Sequence, residues 1–209
     1  KQVVQKAMQQ VMDAGTDVSK LKKEHIEDYK ALFSRQDFSL HTDRSGRTDK
    51  LLKDPAAFQA VCELLYHYGK YLMISGSRRG GQPLNLQGQW NANIRPAWSS
   101  NYTVNINTQM NYWGASLCGL QECLEPYLRM VHEVCKRGEK TAKVNYGCRG
   151  FACNHNVDLW RKTAPVIGES NYMYAPLCGV WLANEIYEHY LNGGLDETLR
   201  LLPVEGGAP

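Results

Sequence analysis

Long hydrophobic runs are missing from this sequence. No apolar stretch reaches the roughly 18 residues needed to cross a bilayer, and the longest ones are broken by Tyr, Gly or charge, so no membrane role is expected. Charge of one sign is equally scarce. Acids and bases are interspersed and leave a net charge of +3. The clusters Lys20–Lys23 and Arg78–Arg79 are short and read as solvated surface. A clustered basic face is lacking, so no nucleic-acid partner is expected. Among the seven cysteines there is no Cys-x-x-Cys pair, and their number is odd. Several sit beside apolar residues at helical spacing, which favours reduced core thiols over disulfides or zinc. No metal and no cofactor are expected. Phosphate-loop chemistry is excluded too: Gly76-x-x-x-Gly80-Gly81 lacks the Lys-Ser/Thr ending. No Gly-x-Ser-x-Gly nucleophile elbow is present, and there is neither a short fixed repeat nor a low-complexity segment.

Reduced thiols and the absence of a signal-peptide apolar region favour a cytoplasmic location. The sequon Asn101-Tyr102-Thr103 points the other way, although such triplets often arise by chance. The opening Lys1-Gln2-Val3-Val4 and the closing Glu205-Gly206-Gly207-Ala208-Pro209 suggest a piece of something longer. A leader upstream would make the protein extracellular.

What is present is mostly helical pattern. The 209 residues, 43% of them hydrophobic, fit one domain with an appendage. Val3, Val4, Ala7, Met8, Val11 and Met12 form an apolar stripe that Gly15 stops, and Leu21, His25, Tyr29, Leu32 and Phe33 form a second. Such faces normally pack on a neighbour. Phe38-Ser39-Leu40-His41 alternates like a short strand, and residues 42–50 read as a polar loop. Asp54-Pro55 is a helix start. Phe58, Val61, Cys62, Leu65, Tyr68 and Leu72 then predict a largely buried helix ending near Ser75-Gly76-Ser77. Residues 78–104 have no helical or strand period. A connection this long is usually functional or disordered. Exposing Trp90, Trp98 and Tyr102 would be costly, so a packed loop lining a site is expected. Further helices are predicted over residues 105–117, from Leu124 to a stop before Gly138, and from Cys178 to Asn192-Gly193-Gly194. A second long loop covers 145–176. Helices joined by short and long loops in alternation predict an all-α layered or toroidal fold.

The stretch 85–113 crowds carboxamides and aromatics together. A sugar offers apolar C–H faces on which an indole stacks, and a ring of hydroxyls to which Asn and Gln both donate and accept. On composition alone an Asn-rich capping loop with core tryptophans explains the same residues. In the second loop, His155 and Asp158 are too few for a metal site. They suit acid–base work or a hydrogen-bonded pair that orders the loop. Glu185 and Glu188 are helix-surface acids or a cleft lining.

Taken together, several strings resemble glycoside hydrolase family 95, the inverting α-L-fucosidases. They are Tyr66-His67-Tyr68-Gly69-Lys70-Tyr71-Leu72, Ser77-Arg78, Asn85-Leu86-Gln87-Gly88-x-Trp90-Asn91, Tyr102-Thr103-x-Asn105-Ile106-Asn107-x-Gln109-Met110-Asn111-Tyr112-Trp113, His155-Asn156-x-Asp158-x-Trp160 and Glu188-His189-Tyr190. The resemblance implies an all-α fold, a partial (α/α)6 barrel of the six-hairpin toroid type. Residues 1–50 would be a helical linker, and 51–209 the N-terminal portion of the barrel. It implies hydrolysis of terminal α-linked L-fucose, with some members accepting L-galactose, on an oligosaccharide or glycan substrate. Inversion needs a general acid and an activated water, with the two groups roughly 6.5–9.5 Å apart. By motif, Asn105 and Asn107 are the catalytic asparagines that hold the water, polarised by a distant aspartate. Thr103, Gln87, Trp90, Asn91, His155 and Asp158 would contact substrate. The family's acid and its polarising Asp are expected beyond Pro209. This chain alone is therefore expected to show no turnover, and self-association through unpaired helix faces is expected. Three departures stand out: Asn154-His155 where the family has two histidines, Ala175-Pro176 where it has Trp-Pro, and Ser77-Arg78-Arg79-Gly80 for Ser-Arg-Pro-Gly. The alternatives are a non-catalytic remnant, a sugar-binding helical scaffold, or a structural interaction domain.

Overall fold

The structure, a computed structural model, describes residues 2–43 and 45–193. The chain divides into two compact units between Asp37 and Phe38. The first holds α1 (Gln2–Ala14) and α2 (Val18–Phe33). Asp17 caps α2 by accepting from the backbone N–H groups of Ser19 (3.0 Å) and Lys20 (3.1 Å), the usual means of satisfying first-turn donors. No residue of α1 is buried. Its apolar stripe, expected to pack on a neighbour, is exposed along its length. In α2 the buried residue is Leu32, and Tyr29 stacks on Phe33 with centroids 5.1 Å apart.

The second unit contains α3 (Thr48–Leu51), α4 (Phe58–Gly76), β1 (Tyr102–Thr103), α5 (Asn107–Tyr112), α6 (Glu125–Tyr146), β2 (Asn156–Val157), α7 (Ser170–Met173) and α8 (Cys178–Leu191). The all-α class expected from the sequence is observed; the strands form one short antiparallel ribbon. Phe38–His41 has no strand partner among the described residues. Helix α4 holds it instead: the fully buried Glu63 carboxylate accepts from Leu40 N–H, His67 Nε2 lies 3.2 Å from Phe38 O, and the Phe38 ring lies 5.2 Å from Tyr66. Alternation alone could not distinguish a strand from an extended segment tied to side chains. Within the polar stretch 42–50 the turn of α3 begins.

Helix α4 starts as expected, with Asp54 accepting from Ala56 N–H at 2.9 Å and Pro55 opening a 3-10 turn. Its buried face is not the expected one. Ala60, Glu63, Lys70, Met73 and Ile74 are buried, while Phe58, Leu65 and Tyr68 are exposed. Helix α5 is shorter than expected, beginning at Asn107 and ending at Tyr112.

The core lies around α6, which presents Tyr127, Leu128, Met130, Val131 and Val134 as one buried face. Helix α8 packs on α6 and α5, with Leu182 fully buried. Tyr112 stacks on Tyr127 at 4.8 Å. Gly138 does not end α6, which runs on to Tyr146 and stops at Gly147 in the left-handed conformation, φ 62°. Gly138 serves packing: a Cβ there would lie 2.8 Å from Ala152 O and 3.0 Å from Phe151 Cβ. A Cβ on Gly179 of α8 would lie 2.5 Å from Phe151 Cε2. Two glycines on two helices thus make room for one phenylalanine. Helix α8 matches the expected span up to Asn192-Gly193; Gly194 lies outside the described residues.

Cys123, Cys153 and Cys178 are buried. Burial pushes Cys135 up to about 11 and Cys153 higher still, which leaves both protonated and unreactive. Among the described residues no helix is long and apolar enough to cross a membrane, and no cluster of three His, Cys, Asp or Glu could hold a metal.

Candidate active site

The site is built on the ribbon. Tyr102 pairs with Val157 and Thr103 with Asn156, and Val104 N–H extends the ladder by donating to His155 O at 2.7 Å. Beyond Thr103 the chain turns over residues 104–106 and enters α5 at Asn107. Val104 is fully buried on one side. Thr103, Asn105 and Asn107, at spacings of two, line a cavity of about 560 Å³. Buried Gln109 fixes this segment, donating through Nε2 to Val104 O at 2.6 Å. Thr103 donates its hydroxyl to Asn101 Oδ1 at 2.6 Å.

The second loop supplies more of the cavity wall, with His155, Asn171, Tyr172, Tyr174 and Ala175, and Leu86 and Trp98 complete it. Asn154 positions this wall. Fully buried, it accepts at Oδ1 from Tyr146 OH (2.9 Å) and Ala175 N–H (2.8 Å), and donates through Nδ2 to Thr163 O (2.9 Å). A buried amide with its groups satisfied rigidifies what it joins. Here Asn154 replaces the first of two expected histidines, and it acts as a clamp between loop and helix. His155 packs edge-on against Tyr172 at 6.3 Å. Burial holds its pKa below the ordinary histidine value, so the ring acts as a neutral hydrogen-bonding group. Its Nδ1 is buried without a hydrogen-bond partner among the described residues.

The structure therefore brings together four residues expected at the site: Thr103, Asn105, Asn107 and His155. It does not bring the others to this cavity. Gln87 accepts the Ser100 hydroxyl. Trp90, half exposed, lies beside Gly88 and Gly76, where a Cβ would lie 2.9 Å and 3.4 Å from the indole. Asn91 bonds locally, its Nδ2 to Asn93 O and its Oδ1 to Asn93 N–H, both at 3.0 Å. Asp158 turns to a second hollow and orders its own loop, accepting at Oδ1 from Trp160 N–H (2.9 Å) and Lys162 N–H (3.0 Å). It makes no hydrogen bond to His155. Trp98 is largely exposed and Trp90 half exposed, so of the three aromatics expected to be packed only Tyr102 is buried.

Sequence reasoning missed Tyr172 and Tyr174. Ala175 stands where an aromatic was expected, and these two tyrosines beside it keep the wall aromatic. The available signal was Asn171-Tyr172-Met173-Tyr174, aromatics amid polar residues in a long loop. Among the described residues no carboxylate lines the cavity. Glu188 lines a separate hollow of about 70 Å³ with Glu185 and His189, and there burial, with Glu188 nearby, raises the Glu185 carboxyl.

The sequence profile of the glycosyl hydrolase family 95 catalytic domain matches residues 17–202. The chain belongs to this family. It is 38% identical over 183 residues to "Alpha-L-fucosidase 2" of Arabidopsis thaliana, covering 82% of this chain and 22% of that protein. It is 33% identical over 180 residues to "Probable alpha-fucosidase A" of Aspergillus niger, with coverages of 82% and 22%. The Aspergillus oryzae protein of the same name is 32% identical over 191 residues, with coverages of 84% and 26%. The chain thus spans about a quarter or less of the length of these relatives. Membership in the family agrees with the all-α architecture and with the strings that carry the resemblance.

Proposed function

We propose that this chain supplies the amide-bearing wall of an inverting α-L-fucosidase site acting on terminal α-linked L-fucose of a glycan. One observation carries the reading: Asn105 and Asn107 line the same sugar-sized cavity, facing Trp98, Tyr172, Tyr174 and His155. An amide oxygen accepts a proton of the attacking water, and the amide NH2 is free to meet a polarising carboxylate. Hydroxyl-reading groups stand at Thr103, His155 and Asn171, and the aromatic rings meet the apolar face of the sugar. Inversion also needs an acid on the far side, with room for the water between. The lining offers amides, hydroxyls and a neutral imidazole, and no carboxylate among the described residues. The chain alone accordingly binds the sugar without turning it over.

The test is titration of the chain with L-fucose, followed by tryptophan fluorescence, alongside an assay with an aryl α-L-fucoside. Binding that Asn107→Ala weakens at least about tenfold, the loss of roughly one charge-free hydrogen-bonding group and its water, with no hydrolysis, supports the reading. Fucose binding indifferent to Asn107→Ala removes the site assignment. Hydrolysis abolished by Asn107→Ala would show that the carboxylates are already present. A sugar-binding helical scaffold without catalysis is the second reading, favoured by the same carboxylate-free lining; it requires that no longer form of the protein hydrolyses the fucoside.

A further inference from the structure

On α8, Glu185, Glu188 and His189 stand at spacings of three and four, so they share one helical face. They line the hollow of about 70 Å³ together with Trp113, Ser116 and Leu117, which follow α5. No lysine or arginine lines it. Among the described residues neither Glu185 nor Glu188 has an ion-pair partner. Like charges so placed repel each other. Burial, with Glu188 nearby, raises the Glu185 carboxyl by more than the Trp181 side chain offsets. Two acids thus share a face that supplies them no cation.

The histidine adds an unpaired buried atom. His189 is 2% exposed. Its Nδ1 lies 3.2 Å from Ser116 Oγ, whereas its Nε2 is buried with no hydrogen-bond partner among the described residues. Burial holds the ring below the ordinary histidine pKa, so it is neutral, with one nitrogen donating and the other accepting. In the tautomer that gives Nδ1–H to Ser116 Oγ, Nε2 keeps its lone pair. Buried polar atoms normally have a partner, and this one calls for a donor.

We infer that this hollow is a socket for a lysine side chain of a partner polypeptide. An ammonium has three N–H donors and no acceptor, and the hollow offers the Glu185 and Glu188 carboxylates and His189 Nε2 to receive them. The volume is well below the roughly 300–1,000 Å³ of small-molecule sites. It suits the compact head group of lysine better than the broad planar fork of arginine. Trp113 and Leu117, 58% and 65% exposed, give the four-carbon stem an apolar surface to lie on, and an indole face also attracts a cation. The socket shares no lining residue with the cavity of Asn105 and Asn107, so it stands apart from the fucosidase reading.

The test titrates the chain with the N-acetylated amides of lysine, arginine and norleucine, and follows the His189 ring and the Trp113 indole N–H by NMR. Saturable shifts with the lysine amide, weaker binding of the arginine amide and no binding of the uncharged norleucine amide are expected. Glu185→Gln weakens the lysine amide about tenfold, the loss of one hydrogen bond between charged groups. Glu188→Gln, at an exposed position, weakens it about threefold. Melting curves check that both variants fold, and the exposed Glu188→Gln decides the matter if Glu185→Gln does not. No binding of the lysine amide, binding indifferent to these substitutions, or norleucine amide bound as tightly overturns the socket. Arginine amide bound as tightly as lysine amide overturns the choice of head group.

Discussion

The guanidinium of Arg161 lies 5.6 Å from the centroid of the Tyr102 ring, and this contact joins β1 to the loop that follows β2. Arg161 is buried, bonds Glu133 and Gln82, and also donates to Leu159 O at 3.2 Å. It does so from a left-handed backbone, φ 60°. One side chain thus ties the second loop to α6, to the first loop and to the ribbon. Arg161→Ala is expected to lower stability by about 2–4 kcal/mol, since several charge-assisted bonds and a packed side chain go together. Arg161→Lys should recover little, because an ammonium cannot reproduce the planar fork. Arg161→Gly should be less damaging than Arg161→Ala by about 1 kcal/mol, because glycine accepts the positive φ. Urea melts of the three variants read these differences. An Arg161→Ala protein within about 0.5 kcal/mol of the parent, the range of ordinary surface changes, would remove the staple role.

A pair of helix glycines separates propensity from packing. Gly69 lies in α4 with open space where a Cβ would stand, whereas at Gly138 of α6 the same atom would meet a backbone carbonyl at 2.8 Å. Helix propensity alone favours alanine at both by about 1 kcal/mol. Gly69→Ala should therefore gain about 0.5–1 kcal/mol. Gly138→Ala should lose about 1–3 kcal/mol, because Ala152 O belongs to backbone that itself donates to Gly138 O at 3.1 Å and has little freedom to retreat. Thermal melts with the same sign for both variants would show that the Gly138 contact relaxes.

Those two glycines also show what the sequence could and could not say. The spacing Leu124–Val134 marks α6 plainly, but Gly138 reads as a stop because the partner that requires it, Phe151, comes from a later loop. Helix α4 is apolar and aromatic on more than one side, so periodicity marks a helix without choosing its face. Buried Glu63 and Lys70 then mislead any choice made on hydrophobicity. At the site, Thr103, Asn105 and Asn107 are legible through the motif that carries the family resemblance, and the turn from β1 into α5 brings them to one cavity. Tyr172 and Tyr174 are not, since Asn154 brings them there by long-range hydrogen bonds that leave no periodic trace. His155 and Asp158, three apart, look like a pair, but the ribbon's far end sends them to different hollows.

Protonation distinguishes the two buried histidines from the acid on α8. Burial lowers the pKa of His155 and of His189 below the ordinary 6.5. Below that value the unfolded chain takes up protons that the folded chain refuses. Their contribution is therefore intact above about pH 6.5 and is lost as pH falls toward the lowered folded values. Burial raises Glu185 above its ordinary 4.5, which has the opposite sign. Folding favours its protonated form, so its contribution is present below the ordinary value and is lost as pH rises through the raised one. On acidification the two effects therefore have opposite signs. Glu185→Gln removes the acid's share, and its melting temperature should fall more steeply on acidification than the parent's. His155→Asn removes one histidine's share, and its curve should be flatter. Parallel curves for His155→Asn and the parent would mean that this imidazole is already hydrated in the folded chain, and the neutral ring assigned to the cavity would have to be given up.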